Sequence, residues 1–274
     1  MKMCLAIQSL RSCGLEESAG IARALGFTAL DLDGVMDTTL NREKILKRDG
    51  GEIARVKALG LTIPNIHWTF SPGGLFPAIN DPDPKVRADN LEQIKRLVDF
   101  CQAAHILSIL VLPGMPISGQ SLTESHQYSA DAMRQFQTIG LEAGVGMMFE
   151  PHVKSTFESP AAAVWLVQQA PGAGVVLDYS HFVCQGYTQP EINKLIPYTQ
   201  HVHLRQARPG LLQTRLDDGV INFPLVFEAL RAENYSGYLC IEYVYQDYIG
   251  ANNVDVLTET VKTRDLIRQH IALE

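Results

Sequence analysis

The 274-residue chain lacks what would fix a disulfide framework, a membrane span or a nucleotide-phosphate site. Its five cysteines (Cys4, Cys13, Cys101, Cys184 and Cys240) are odd in number and form no C-x-x-C pair. That excludes a zinc knuckle or paired-cystine scaffold and suits a reducing cytoplasm, with most thiols expected as small buried hydrophobes. No apolar run approaches the roughly 20 residues that cross a bilayer. The opening MKMCLAIQSLRSCG is interrupted by Arg11 and followed by no small-residue cleavage site, so neither a membrane partner nor a secretory leader is expected. Basic charge is also short: 23 Lys and Arg against 30 Asp and Glu give a net charge of -7, a poor match to nucleic acid. There is no Pro/Ser linker, no G-x-G-x-x-G after the first strand, no P-loop and no G-x-S-x-G elbow. These absences argue for one domain over residues 1–274 and against an open dinucleotide-binding sheet.

What is present is regular. Hydrophobic residues make up 46% of the chain, enough for a sizeable core. Short apolar runs read as strands at Cys4–Leu10, Ala29–Asp33, Thr62–Thr69, Leu107–Leu112, Gly146–Glu150, Gly174–Asp178, His201–Arg205 and Gly237–Tyr243. Helical spacing marks Leu15–Leu25, Pro84–Ala104, Ser129–Ala143, Pro160–Ala170, Pro190–Tyr198, Phe223–Glu233 and Val254–Ile271. Gly26, Gly60, Gly144, Gly172 and Gly237 mark the helix-to-strand joints, where a left-handed backbone favours glycine. Repeated strand-then-helix order at this length predicts an α/β fold, a single (β/α)8 TIM barrel with right-handed crossovers. The Pro/Gly-rich stretch Trp68–Pro84, with Trp68, Phe70, Leu75 and Phe76, reads either as a lid over the rim or as a surface loop packing its own aromatics. Its exposed aromatics leave a homo-oligomer open.

In such barrels, chemistry sits at the C-terminal ends of the strands. The fifth strand ends at Glu150, the sixth at Asp178 with His181 three residues on, and the eighth at Glu242; the seventh offers His201, His203 and Arg205 on one face. A single strand-end acid is more often a helix cap, a loop salt bridge or a solvated rim residue than a ligand. Four metal-capable groups on consecutive strands are a stronger signal, because acids ending hydrophobic runs are costly to desolvate unless paired or ligated. Two glutamates, an aspartate and a histidine suit one divalent ion, Mn²⁺ first, with Mg²⁺, Co²⁺ or Zn²⁺ as alternatives. His201, deeper than His203, is expected to be a hydrogen-bonded core histidine. His152 reads equally as a supporting group or a substrate contact. Arg205, sharing a face with His203, is placed to bind an oxygen or an anion. Arg208, Arg215 and Gln185 lie on rim loops as further polar candidates.

The segments FEPH, LDYSH, HVHLR and YSGYLCIEY, in this order and at these strand positions, resemble the xylose isomerase-like barrel superfamily. More narrowly, they resemble its sugar phosphate isomerase/epimerase family, which includes ketose 3-epimerases, hydroxypyruvate isomerases and inosose dehydratases. The resemblance implies Glu150, Asp178, His203 and Glu242 as metal ligands, with Glu150 and Glu242 also catalytic acid/base groups on opposite faces of a small carbohydrate substrate. It implies His181 as a substrate contact. His67, Trp68, Arg205 and Gln185 complete the expected substrate-binding set. The family often has Lys-Asp after the ligand histidine, where this chain has Arg205-Gln206. The chemistry expected is proton transfer through a metal-stabilised enediolate, giving isomerisation or epimerisation; loss of a β-hydroxyl would make it a dehydratase or lyase instead. Abasic-site endonucleases of the same superfamily resemble the chain at His67, Glu150, Asp178, His181, His203 and Glu242. They need further histidines where this chain has LVLPGMP and RLDDGVI, so a nuclease is disfavoured. A non-catalytic barrel would be favoured by a missing ligand, and none of the four is missing.

Overall fold

The computed structural model describes residues 1–35 and 39–271. Apolar runs of three to six residues make the strands: β1 (Lys2–Ala6), β2 (Leu30–Asp33), β3 (Ile66–Trp68), β4 (Ser108–Val111), β5 (Gly146–Phe149), β6 (Gly174–Asp178), β7 (Thr199–Leu204) and β8 (Tyr238–Ile241). They pair in parallel and in chain order, and β8 closes on β1, so this is the expected (β/α)8 barrel. The long outer helices are α1 (Leu15–Ala24), α4 (Pro84–Ala104), α5 (Leu122–Ala143), α6 (Pro160–Gln169), α9 (Phe223–Ala232) and α10 (Val256–His270). Among the described residues no helix is long and apolar enough to cross a membrane.

Local chemistry explains where the elements depart from the sequence reading. The third strand is much shorter than Thr62–Thr69, because Pro64 has no N–H for the ladder; only isolated bridges form at Thr62 and Ile63. Helix α5 starts at Leu122 rather than Ser129, since the Ser121 and Glu124 side chains form a capping box. Two helices not read in the sequence, α2 (Arg42–Leu46) and α3 (Gly50–Ala58), cross from β2 to β3. A one-turn helix, α7 (Tyr179–Val183), follows β6 directly, with Asp178 as its N-cap. The Pro190–Tyr198 segment divides into α8 (Gln189–Ile192) and a 3-10 turn containing Pro197. Gly144 caps α5 in the left-handed region (φ 70), as expected, whereas Gly237 has no positive φ. A Cβ at Gly237 would instead stand 2.5 Å from the Tyr235 hydroxyl, so close approach explains that glycine.

Alternation along the strands separates two packing zones. Outward-facing residues such as Trp68, Phe149 and Leu204 fill the layer between strands and helices, with Phe100, Phe136 and Phe227 from the helices. The barrel interior is divided lengthwise. On the β4–β6 side it holds Leu110, Met148 and Val176. On the β7–β8–β1–β2 side it holds His201, Cys240, Cys4 and Asp31, all buried. The polar half continues upward into the rim.

Where α5 meets β5, space is limiting. A Cβ on Gly140 would stand 2.5 Å from the Val145 carbonyl oxygen, while one on Gly20 of α1 meets nothing within 4 Å. Gly140→Ala is therefore expected to destabilise the protein by about 1–3 kcal/mol through overpacking. Gly20→Ala should stabilise it by about 0.5–1 kcal/mol through helix propensity. Urea unfolding of the two variants checks this opposition of sign; equal shifts would contradict the packing.

Candidate metal centre

The rim is built by strands that end in acids. Glu150 follows β5, Asp178 ends β6, His203 lies next to last in β7 and Glu242 follows β8. All four are buried, and one donor atom from each lies within 4.8 Å of the others. His203 Nδ1 is 2.8 Å from Glu150 Oε1 and 3.2 Å from Glu242 Oε2, so the two glutamates reach it from different strands. Asp178 Oδ1 accepts the Ser180 N–H at 2.8 Å, which fixes the carboxylate at the start of α7. Its Oδ2 pairs with Arg205 Nη2 at 2.7 Å but lies off the line of the N–H, so this buried oxygen has no hydrogen-bond donor.

Three carboxylates this close cannot all be buried as anions without cations beside them. Burial pushes the Glu150 carboxyl above the usual range. Burial would also raise Glu242, but the charges of His203 and Arg205 outweigh it and bring that carboxyl down. Burial would lower the His203 imidazole; Glu242, Asp31 and Glu150 reverse this and hold it well above its ordinary value. A carboxylate oxygen without a donor, in a cluster that needs positive charge, fits a hard divalent ion held by Glu150, Asp178, His203 and Glu242.

Of the other expected contacts, His67, His181 and Arg205 line a cleft of about 270 Å³ above this cluster. His67 faces Gln8 Nε2 through Nδ1 at 3.1 Å, and its buried Nε2 has no partner. Arg205 donates from Nε to Ser180 Oγ at 2.8 Å, and its Nη2 lies 2.9 Å from His181 Nε2. His152 also lines the cleft; its ring lies 4.0 Å from that of His181.

Trp68 and Gln185, expected as substrate contacts, lie outside the cleft lining. Trp68 is the neighbour of inward-facing His67 and so points outward; it is fully buried against the helices, with the Arg42 guanidinium 3.7 Å over its ring. Gln185 is exposed outside the cleft lining, and its Nε2 donates to the His181 and Glu158 carbonyls. Arg208 and Arg215 are likewise exposed and do not line the cleft. Sequence reading missed Asp31, which takes the His201 Nε2 contact at 2.6 Å and stands 3.8 Å from His203 Nε2. The alternation in LDLD, read as HVHLR was read, would have put Asp31 and Asp33 inside. It also missed Arg11, Gln8 and Tyr248 on the cleft wall, which come from loops without periodicity.

Burial lowers both His67 and His152 to about 4, against an ordinary value of 6.5. Their folded values lie below the unfolded one, so the unfolded chain binds more protons between pH 6.5 and 4 and stability falls as pH drops through that window. Water in the cleft screens part of this, leaving an expected loss on the order of 1 kcal/mol per histidine between pH 6.5 and 5. Chemical denaturation of wild type and His67→Gln at these two pH values checks it. The variant should show the smaller loss, and identical losses would contradict the burial argument.

Residues 20–270 match the family described as Xylose isomerase-like TIM barrel. The chain is similar to L-ribulose-5-phosphate 3-epimerase UlaE of Shigella boydii serotype 18, at 25% identity over 95% of this chain and 90% of the relative. In structure it resembles D-psicose 3-epimerase with D-tagatose from Clostridium cellulolyticum H10 (TM-score 0.77, 16% identity, covering 98% of this chain and 99% of that one). It resembles equally the IOLI protein with a binding zinc atom (TM-score 0.77, 15% identity, covering 100% of both chains). With a match across nearly its whole length, the chain belongs to the xylose isomerase-like TIM barrel family, whose sugar epimerase and isomerase members are its relatives.

Proposed function

We propose that the chain is a divalent-metal-dependent epimerase or isomerase of a ketose or related sugar. The observation that carries this reading is the pair of glutamates, Glu150 and Glu242, approaching His203 Nδ1 from separate strands at 2.8 and 3.2 Å beneath an open cleft. The kinship with a relative named as a ribulose-phosphate 3-epimerase agrees with it.

Glu150, Asp178, His203 and Glu242 are the ligands in this reading, with Mn²⁺ the first choice and Mg²⁺, Co²⁺ or Zn²⁺ as alternatives. When bound there, a divalent ion supplies Lewis-acid charge that offsets the negative charge of an enediolate. The chain's own residues do the rest. One glutamate takes the proton from the carbon beside the carbonyl, and the other returns one on the opposite face for epimerisation; return to the neighbouring carbon gives isomerisation. His67 is neutral; with Nδ1 accepting the Gln8 amide N–H, its unpartnered Nε2 carries the ring proton and donates to a substrate oxygen. Arg205, held by Ser180, directs its guanidinium at substrate oxygens beside His181. Leu112 and Leu212 on the cleft wall exclude water from the reacting carbon. Arg11, also on that wall, offers a cation to a phosphate at the far end of the sugar.

Incubation of the Mn²⁺-loaded protein with ketoses and ketose phosphates in D2O, followed by NMR, tests the reading. Deuterium is expected at the carbon beside the carbonyl in an epimerised or isomerised product. Glu150→Gln and Glu242→Gln should each lower turnover by about 10²- to 10⁴-fold with the fold retained. Chelation should abolish activity and Mn²⁺ restore it. Full activity in either variant, or a product that has lost water, would overturn the assignment. Arg11→Ala should raise KM about tenfold for phosphorylated substrates only; an equal change for unphosphorylated ones would remove Arg11 from that role.

A further inference from the structure

Below the rim quartet, a second set of metal-capable side chains meets inside the barrel. Cys4 on β1, Asp31 on β2, His201 on β7 and Cys240 on β8 come from four strands that are neighbours in the closed sheet. Register sets Cys4 opposite Cys240. One donor atom from each of the four lies within 4.8 Å of the others, and all four residues are buried. Around a tetrahedral zinc ion, donors at the usual bond lengths stand roughly 3.3–3.8 Å apart. A contraction of about 1 Å therefore closes the set, within the reach of small side-chain rotations.

A hydrogen-bonded polar layer is the plainer account of these residues, and it serves Asp31 and His201 better than the thiols. Only His201 Nε2 and Asp31 Oδ2 meet at normal length, 2.6 Å; the Cys4 thiol is 3.8 Å from Asp31 Oδ1. The Asp31 carboxylate is compensated by two imidazoles, His201 at 2.6 Å and His203 at 3.8 Å, which leaves the Cys4 thiol, 3.8 Å from Asp31 Oδ1, the weakly engaged donor of the layer. Packing needs no polar groups at this depth, since the other half of the interior is filled by Leu110, Met148 and Val176. The donors also form a complete set, two sulfurs, one nitrogen and one oxygen, as thiophilic ions require.

We infer that Cys4, Asp31, His201 and Cys240 form a second metal site, closed and structural, that takes a thiophilic divalent ion, Zn²⁺ foremost. On binding, the two thiol protons and the proton between His201 and Asp31 pass to solvent, and the ion takes their place. A small internal cavity lined by Gln8, Asn65, His67, His203 and Glu242 reaches Asp31 from the rim side. Asp31 stands between the two levels, 3.8 Å from His203 Nε2, so the inner ion would hold the carboxylate that backs the rim histidine.

The site is tested independently of the proposed reaction by cobalt spectroscopy of the full chain, produced in zinc-poor medium supplied with Co²⁺. The rim quartet contains no sulfur, so any thiolate-to-cobalt charge-transfer band in the near ultraviolet reports the inner site alone. Wild type is expected to hold two metal equivalents per chain and show the band. Cys4→Ser/Cys240→Ser should hold one equivalent without the band, and Glu242→Gln should retain the band. If the double variant does not fold, the wild-type spectrum decides. Cobalt uptake without a thiolate band, no uptake, or two equivalents persisting in a folded double variant would each overturn the site.

Discussion

The structure depends on how three carboxylates are held together at one end of the barrel. Parallel strands that close in chain order deliver Glu150, Asp178 and Glu242 to one side of the rim, within 4.8 Å of one another through His203. Burial makes their mutual repulsion severe. Every nearby cation is enlisted against it: His203 between the two glutamates, and Arg205 against Asp178 with Glu242 3.7 Å away. In the proposed reading a divalent ion would take over this compensation, His203 turning from counter-ion to ligand and Arg205 turning toward a substrate.

The barrel supports this concentration of charge by dividing its interior. The β4–β6 half is apolar and anchors the strands by ordinary packing. The β7–β8–β1–β2 half is polar from the inner layer to the rim, with His201, Asp31 and His203 in contact range along one line. Side chains that would be costly in isolation form a connected column, so His203 at the rim stands on partners of like chemistry. Strand register sets the spacing in that column, His203 on β7 opposite Cys240 on β8, and brings Asp178 of the adjoining β6 opposite His203.

Much of this was legible in the sequence because the physics is local. An apolar run ending in an acid places that acid at a strand end, and HVHLR places His201, His203 and Arg205 on one face by alternation alone. The rest was hidden for identifiable reasons. Trp68 stands at the overlap of the strand read at Thr62–Thr69 and the loop read from Trp68, and one position of register there separates the cleft from the outer core. Asp31 was overlooked because its partner His201 is 170 residues away, a pairing only barrel closure creates. Cys4 and Cys240 read as ordinary buried thiols, since nothing in their own segments shows that β1 and β8 are neighbours. Arg11 and Gln8 lie in a short 3-10 turn and its cap after β1, where no periodicity points a side chain.

The claim that the rim quartet is a metal centre is most directly tested by crystals grown with Mn²⁺ and examined by anomalous diffraction at the manganese edge. An anomalous peak bounded by Glu150, Asp178, His203 and Glu242, with Arg205 withdrawn from Asp178, is the expected result. A rim without a peak at saturating Mn²⁺, with Arg205 still paired to Asp178, would contradict it.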